Sequence, residues 1–193
     1  MKDTSDFKAK RRTKLIGTAR KVFVDKGYRG ATMEGIANAA SVSKATLYSY
    51  YPDKAAIFNA VAKTVARDLI QIVESELEGT TDPVNAVIAA LIAKHMFVHS
   101  IVRTSMFAQE LFQTKDDISA NHFEQTDAKI CASLARRLSE VSEGSQETAE
   151  LLMAASQGIA NATHSKEHLR YRIAKLQLLL EPPIGFVVPA NDC

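Results

Sequence analysis

The sequence of 193 residues has no tryptophan, five prolines, eight glycines and two cysteines. So few turn-forming residues in a chain that is 46% hydrophobic favour helices over a turn-rich sheet, and no stretch shows the alternation typical of a strand. Cys131 lies within a helical pattern and Cys193 is the last residue, so the two indicate neither a disulfide framework nor a metal site. The composition therefore predicts an all-α protein in a reducing compartment.

Five further features are missing. No apolar run approaches the roughly 18 residues that a transmembrane helix needs, and the polar, charged N-terminus is unlike a secretion signal. The sequence also shows no nucleophile with a spaced base, no phosphate-cradling glycine-rich loop and no set of metal ligands. We therefore expect a cytoplasmic protein without membrane contact, cofactor or enzymatic activity.

Charge is unevenly distributed along the chain, although the net charge is +2. Residues 1–54 carry twelve Lys and Arg against five Asp and Glu, a balance of +7, whereas the remainder carries twelve against seventeen, a balance of −5. Five of the basic residues cluster near the N-terminus, at Lys8, Lys10, Arg11, Arg12 and Lys14. The first quarter of the chain is therefore suited to contact with a polyanion such as nucleic acid.

The stretch from Thr32 to Lys54 predicts two short helices separated by a tight turn. In the first helix, capped by Thr32, apolar residues recur at offsets 0, 3, 4 and 7, at Met33, Ile36, Ala37 and Ala40. Ser41-Val42-Ser43 interrupts the pattern, and Ser43 is placed to cap a second helix that begins at Lys44 and ends before Pro52. Such a pair is the helix-turn-helix pattern, in which the second helix enters the major groove of DNA.

This stretch resembles the DNA-binding signature of the TetR/AcrR family of transcriptional regulators. The pattern T-[MV]-x-x-I-A-x-x-A-x-V-S-x-x-T-L-Y-x-Y-[FY]-x-x-K is matched at almost every position from Thr32 to Lys54, and A-x-x-V-F-x-x-K-G-Y is matched from Ala19 to Tyr28. Ser41 and Ala45 stand where the family often has Gly. At Ser41 this departure predicts a slightly different turn geometry.

The resemblance implies an all-α fold of about nine helices. A three-helix helix-turn-helix DNA-binding domain would occupy residues 1–54, and an effector-binding and dimerisation domain residues 55–193. The implied function is that of a ligand-responsive repressor, which binds a palindromic operator as a homodimer and is released by a small-molecule effector. The alternatives are an activator, a regulator that needs its ligand to bind DNA, and an architectural DNA-binding protein without an effector.

The resemblance also implies which residues meet DNA. The expected contacts to backbone or bases come from Thr32, Ser43, Lys44, Ala45, Thr46, Tyr48, Tyr50 and Lys54. Of these, Lys44 and Ala45 are the best candidates for facing bases. Leu47 and Tyr51 align with the apolar face of their helix, so we interpret them as core residues.

Apolar periodicity predicts that the rest of the chain is helical as well, over about 53–78, 82–100, 101–112, 119–141, 145–164 and 166–181. The last two helices carry small and apolar residues beyond what one core needs. In the family, these two helices of each subunit form a four-helix dimer interface. The residues expected there are Leu151, Ala155, Gly158, Ile159, Ala162, Leu169, Ile173 and Leu176.

An effector site is expected among the helices of residues 82–141. The candidate lining residues are Phe97, Met106, Phe107, Glu110, His122, Phe123 and Asp127, although methionine and aromatic residues at this spacing are also typical of plain core. Asp127 lies on an apolar stripe between Phe123 and Ile130, where a charge is costly unless it is paired. It would either recognise a cationic or hydrogen-bonding ligand, pair with Arg103, or lie exposed.

Two histidine pairs have a spacing that suits a metal. His95 with His99, and His164 with His168, each lie at positions i and i+4, which places both imidazoles on one helical face. Neither pair has an evident third ligand. We therefore favour a polar surface or a dimer contact and predict no metal site.

Overall fold

The computed structural model describes the backbone of residues 2–102 and 117–180, and the side chains of residues 6–101 and 123–180. Within these ranges every regular element is a helix, which confirms the all-α prediction. The elements are α1 (Lys2–Gly30), α2 (Met33–Ala39), α3 (Lys44–Tyr50), α4 (Lys54–Glu78), α5 (Pro83–Val102), α6 (Asp117–Leu138), α7 (Ser145–Asn161), α8 (Lys166–Ala174) and a 3₁₀ helix (Lys175–Leu179).

Local sequence signals set most of the helix boundaries. Gly27 has a φ of +69° within α1, and this positive angle interrupts the regular helix at the residue expected to end it. Asp53 caps α4 by accepting a hydrogen bond from the Ala56 amide at 2.7 Å. Asp82 caps α5 in the same way, accepting from the Asn85 amide at 2.8 Å, with Pro83 as the first helical residue.

Several expected boundaries differ in the structure. α5 continues through Val102, so the predicted break after Ser100 is wrong, and residues 103–112 of the next predicted helix lie outside the described part of the chain. α6 ends at Leu138, because the Leu138 carbonyl accepts from the amides of both Val141 and Ser142 and closes a turn. Val141 is therefore 57% exposed rather than buried.

The described residues divide into two compact units. The first, which we call the head unit, comprises the described residues within 1–71 and 97–129, and the second, the body unit, comprises those within 72–96 and 130–180. The division predicted after residue 54 is a boundary in function and not in packing, because it separates the DNA-binding residues from the effector-binding residues along the sequence. It stays a proposal.

One continuous core organises the head unit. Buried residues of α1, α2, α3 and α4 pack together, and Ile101 of α5 belongs to the same cluster. Three aromatic rings lie at its centre, because Phe58 meets the edge of Phe23 with ring centroids 5.2 Å apart and that of Tyr28 at 4.8 Å. Since α2 and α3 contribute only Met33, Ile36, Ala37 and Leu47 from their own lengths, their position depends on α1 and α4.

Of the described helices, α5 is apolar enough by length and composition to cross a membrane, with a mean hydropathy of 1.5 over Pro83–Ile101. The expectation that no run approaches that length was therefore too strong. The same stretch contains Lys94 and His95, both buried, and 44% of it is buried in the fold. Core helices of helical domains share these properties, so the hydropathy of α5 alone does not indicate a membrane span.

The body unit contains a buried histidine that pairs with a neighbouring helix. The Nε2 atom of His95 in α5 lies 3.0 Å from the Oγ atom of Ser156 in α7, and both side chains are buried. Burial, with a smaller contribution from the charge of the adjacent Lys94, lowers the pKa of His95 to about 3. The imidazole is therefore neutral in the folded protein and serves as a hydrogen-bonding core residue.

The depressed pKa of His95 predicts a pH-dependent stability. Below pH 6.5 His95 is protonated in the unfolded chain but stays neutral in the folded chain. The free energy of unfolding therefore decreases as the pH falls from 6.5 towards 3. Between pH 7.5 and 5.5 the wild type should lose about 1.4 kcal/mol more free energy of unfolding than His95→Asn. Urea unfolding at both pH values measures this difference. His164→Asn, which changes an exposed histidine, is the control and should follow the wild type.

Candidate nucleic-acid interface

The turn between α2 and α3 is a helix C-cap built around a left-handed serine. Ser41 has a φ of +56°, its amide donates to the Asn38 carbonyl at 3.1 Å, and the Val42 amide donates to the Ala37 carbonyl at 3.0 Å. These two hydrogen bonds define a Schellman motif, which reverses the chain within a few residues. Ser41 therefore adopts the backbone conformation that the glycine common at this position would supply, and the expectation of a different turn conformation at Ser41 finds no support.

Positive φ at a residue with a side chain is strained, which leads to a prediction for Ser41. Left-handed backbone costs a non-glycine residue roughly 1–2 kcal/mol, while glycine loses more chain entropy on folding. We expect Ser41→Gly to raise the free energy of unfolding by about 0.5–1 kcal/mol, measured by thermal or urea unfolding. Ser49→Gly, which places glycine within α3, should lower it by about as much. Equal effects of the two changes would contradict the strain assigned to Ser41.

Both helices of the pair begin with a side-chain cap. The Thr32 hydroxyl accepts a hydrogen bond from the Gly35 amide at 3.0 Å and so caps α2. The Ser43 hydroxyl accepts from the Thr46 amide at 3.1 Å and lies 2.8 Å from the Thr46 hydroxyl, which caps α3. Each cap satisfies an amide at the helix start and fixes the direction in which the helix leaves the turn.

α3 presents one buried and one exposed side. Leu47 is fully buried and Tyr51, just past the helix, is 5% exposed, which confirms both as core residues. The opposite side exposes Lys44, Ala45, Tyr48 and Ser49, while Thr46 and Tyr50 are half-buried at its edges. Since positions i, i+1, i+4 and i+5 share one face of a helix, these four side chains form a single surface, which we call the α3 face.

The α3 face carries one ammonium group, and this group already has an anionic partner. Lys44 Nζ lies 3.2 Å from Glu34 Oε2 of α2, and both side chains are exposed. An ion pair in this setting is weak, because water and salt screen it. A phosphate oxygen could therefore replace the Glu34 carboxylate at little cost. Sequence reasoning missed Glu34, since the ten-residue separation only becomes a contact once the turn has formed.

Lys54 is held by the end of α1. Its Nζ atom donates to the carbonyls of Tyr28 at 2.8 Å and Ala31 at 3.1 Å, and it lies 4.4 Å from the centre of the Tyr28 ring. Two of the three N–H donors of this ammonium group are thus used within the head unit, and at most one is left for a phosphate. The structure therefore gives Lys54 a role that the sequence did not predict, namely joining α1 to α4.

The basic N-terminal cluster lies on α1. Lys8, Lys10, Arg12 and Lys14 are exposed, and Arg12 also lies over the ring of Tyr51, 5.8 Å from its centre. The Tyr51 hydroxyl is buried without a hydrogen-bond partner among the described residues, and burial raises the pKa of this phenol against the opposing charge of Arg12. The cluster thus adds positive charge to the head unit beyond the α3 face.

The predicted effector residues are only partly placed. Phe97 and Phe123 are half-buried and pack against the head core, whereas the side chains of Met106, Phe107, Glu110 and His122 lie outside the described residues. Asp127 is exposed, which is one of the three alternatives that the sequence left open for it. The buried stripe of α6 runs through Thr126, Ile130 and Leu134, so Asp127 lies just beside it.

A cleft of about 590 Å³ opens in the body unit, between the end of α4, the following turn and α6. None of the predicted effector residues lines it. Its walls are held by ionic contacts, because Glu74 pairs with Arg136 at 3.2 Å and also accepts from Ser133, while Arg137 donates to the Thr80 and Thr81 carbonyls. The cleft is open and its carboxylates and guanidinium groups largely satisfy one another.

The residues predicted for a dimer interface separate into two groups. Leu151, Gly158 and Ala162 are exposed, and Ala155 and Ile159 are half-buried, along one side of α7. In contrast, Leu169, Ile173 and Leu176 are buried within the body unit, so their side chains are already packed. The buried side of α7 is formed instead by Ala149, Leu152 and Ser156.

Among the described residues no group of three or more potential metal ligands occurs. His95 is buried, so the expectation that its pair forms a polar surface is wrong for this residue. His164 and His168 are exposed, His95 is bonded to Ser156, and both ring nitrogens of His99 are buried without a partner. The two members of the first pair thus have separate surroundings.

Comparison with known proteins places the interface in a family. Residues 15–61 match the model of the bacterial regulatory proteins of the tetR family. The chain is 40% identical over 72 residues to the HTH-type transcriptional activator FasR of Mycolicibacterium smegmatis and 36% identical over 74 residues to the HTH-type transcriptional regulator HbdR of an Aromatoleum species. These alignments cover 37% and 38% of this chain and only 33% and 32% of the relatives.

Solved structures extend the likeness to the whole fold. A TetR/AcrR-family transcriptional regulator from Thermobifida fusca has a TM-score of 0.72 at 17% identity, covering 88% of this chain and 97% of that one. A transcriptional regulator from Cytophaga hutchinsonii has a TM-score of 0.70 at 21% identity, covering 86% and 93%. Residues 15–61, which contain the capped helix pair, therefore carry the N-terminal domain of the tetR-family regulatory proteins, and the fold of the described residues is similar to that of solved TetR-family regulators.

Proposed function

We propose that the chain is a cytoplasmic, ligand-responsive repressor that binds a palindromic operator as a homodimer and releases it when a small-molecule effector binds. The observation that carries the DNA-binding part is the α3 face, where Lys44, Ala45, Tyr48 and Ser49 lie exposed on a helix fixed by a cap and a buried leucine. A rigid helix with a cation, a phenol and a hydroxyl on one side suits the phosphates and base edges of a major groove.

Contacts around α3 would fix its position on the duplex. The Thr32 hydroxyl uses its oxygen as an acceptor for α2, which leaves its hydrogen free to donate to a phosphate. Ser43, Thr46 and Tyr50 border the α3 face. The third N–H donor of Lys54, which its two hydrogen bonds to carbonyls do not use, would bind a phosphate of the DNA backbone. We assign Lys44 and Ala45 to the bases and the remaining residues to the DNA backbone.

The dimer is proposed through α7. Its stripe of exposed and half-buried residues, Leu151, Ala155, Gly158, Ile159 and Ala162, is separate from the fully buried side of the helix, and a methyl group added at Gly158 would meet no atom within 4 Å. A small-residue stripe with open space lets a second helix approach closely. Two heads on one molecule would then read half-sites about 34–36 Å apart, or a multiple of that distance.

A charge placed in this stripe tests the dimer. Leu151 is 65% exposed in the single chain, so Leu151→Glu should leave folding intact, while in a dimer it would bury two carboxylates at the contact. We expect the dimer to weaken at least about tenfold, measured by analytical ultracentrifugation. Val141→Glu is the matched control, because Val141 is also apolar and exposed but lies outside α7. A Leu151→Glu variant that dimerises like the wild type would exclude α7 from the interface.

The sign of regulation needs its own experiment, because the relative from Mycolicibacterium smegmatis is named an activator. Its likeness is confined to 72 residues, which are 33% of that protein, so it does not carry the direction of control. An operator can be selected from a random-sequence duplex pool with the wild-type chain and placed before a reporter gene. Repression of the reporter supports our proposal, and stimulation supports the activator.

Affinity for unselected DNA separates the regulator from an architectural protein. At physiological salt, a regulator should bind the selected duplex at least about 10³-fold more tightly than a shuffled duplex of the same composition. Fluorescence anisotropy measures both affinities. Equal affinities would support DNA coating and contradict the proposed function.

A further inference from the structure

Arg20 of α1 contacts two other helices within the head unit. Its Nη1 atom lies 3.0 Å from Asp68 Oδ2 of α4, and its guanidinium carbon lies 5.8 Å from the centre of the Phe97 ring of α5. The side chains of Arg20 and Asp68 are 29% and 30% exposed, so this ion pair is shielded more than most surface pairs. One cation thus pairs with a carboxylate through Nη1 and also lies over an aromatic ring.

The position of this contact matters because it lies beside residues of three helices that belong to the head core or pack against it. Arg20 follows the buried Ala19, Asp68 comes one turn after Val65, and Phe97 comes one turn before Ile101. The head core also holds α2 and α3 through Ile36 and Leu47. A shift of α5 at Phe97 would therefore reach α1 through Arg20, and the helices that rest on α1 would move with it.

We propose that Arg20 is a positioning residue for DNA binding, which couples the placement of α4 at Asp68 and of α5 at Phe97 to that of α1 and the α3 face. The inference rests on the proposed function, since it concerns the control of the same DNA-binding surface. Displacement of the Phe97 ring lowers operator affinity although Phe97 does not touch DNA. The coupling is a difference in free energy between two arrangements of the head-unit helices, and its size is that typical of coupled binding sites.

Two variants remove one side of the contact each while keeping Arg20. Phe97→Leu removes the ring face without changing charge, and Asp68→Asn removes the ionic partner with little change in shape. We expect each to weaken binding of the selected duplex about 5- to 20-fold in fluorescence anisotropy. Asp68→Asn is decisive in sign, because loss of a negative charge should by itself strengthen DNA binding.

A conservative variant and a control complete the set. Arg20→Lys keeps a charge near Asp68 but loses the planar face, so it should cost only about two- to threefold. Arg67 also approaches Asp68, at 3.9 Å, but lies on α4 itself and does not reach α1. Arg67→Gln therefore removes the same charge beside the same carboxylate, and should change affinity less than about twofold.

Two further readings separate coupling from simple destabilisation. The double variant Asp68→Asn with Phe97→Leu should lose clearly less than the product of the two single effects, because both act through Arg20. Hydrogen exchange of the α1 amides should accelerate in each variant at temperatures far below unfolding.

The outcomes are distinguishable. Weaker binding in both single variants, with the predicted non-additivity, supports the inference. If the wild type selects a duplex but Asp68→Asn binds it as tightly or more tightly, Arg20 has no coupling role and only the inference fails. If the wild type selects no duplex at all, the proposed function fails, and the inference fails with it.

Discussion

Lys44→Ala and Tyr48→Ala are each expected to weaken operator binding at least about tenfold, and the double variant at least about 100-fold. Both side chains lie on the α3 face and neither contributes to the head core, so the loss should arise from missing DNA contacts rather than from unfolding. For Lys44→Ala, the slope of log affinity against log salt concentration should also fall by about one if Lys44 contacts a phosphate.

Controls for this prediction come from the same region. Lys63 is exposed on α4, so Lys63→Ala removes an equal charge outside the α3 face and should change affinity less than about threefold. Glu34→Gln should instead strengthen binding, because it frees Lys44 from its carboxylate partner. Unchanged affinity in both alanine variants would remove α3 from the groove and defeat the assignment of the interface.

Phe23→Ala is expected to lower the free energy of unfolding by about 3–5 kcal/mol and to abolish operator binding. Phe23 is fully buried and packs against Phe58 and Tyr28, so its removal leaves a cavity where α1 supports α2 and α3. Since small proteins are stable by roughly 5–15 kcal/mol, this loss is a large share of the total. Urea unfolding followed by circular dichroism measures it.

The matched control for Phe23→Ala lies in the same helix. Phe7 is 61% exposed, so Phe7→Ala should change the free energy of unfolding by no more than about 0.5 kcal/mol. Phe23→Leu, which keeps most of the apolar volume, should fall between the two alanine variants. A Phe23→Ala protein as stable as Phe7→Ala would show that the aromatic cluster is not the support of the head.

The sequence was sufficient to predict those parts of the fold that depend on neighbouring residues. Thr32, Ser43, Asp53 and Asp82 cap the helices they precede, because a cap needs only an amide three residues away. The buried positions of α2 and α3 also follow from spacing along one helix. For the same reason the α3 face was recognisable before the structure.

Contacts between distant residues were not predictable. Nothing in a single sequence indicates that Lys54 binds the end of α1, that Glu34 pairs with Lys44, or that Arg20 meets Asp68, because each contact depends on how whole helices pack. The alternatives for Asp127 stayed open in the sequence for a related reason. Its spacing fits two helical stripes, and packing of α6 selected the one that leaves Asp127 exposed.

The predicted dimer residues show the same limit. Periodicity correctly separates apolar from polar sides of a helix, but it does not tell a core within one chain from a contact between two chains. Leu169, Ile173 and Leu176 therefore proved to be core of the body unit, whereas the stripe of α7 remains open. A helix with apolar residues on two sides, such as α7, indicates that one side packs within the chain and that the other is available to a second chain.

The clasp of Lys54 on the Tyr28 and Ala31 carbonyls has a mechanical consequence. These two hydrogen bonds join the first turn of α4 to the end of α1. We therefore expect α1, α2 and α3 to move together with the start of α4 when α4 tilts. Under the proposed function, an effector would then change the distance between the two α3 helices of the dimer without changing the bases that each helix contacts. The affinity of the dimer for a palindromic operator would fall, while the affinity of one subunit for an isolated half-site would stay the same.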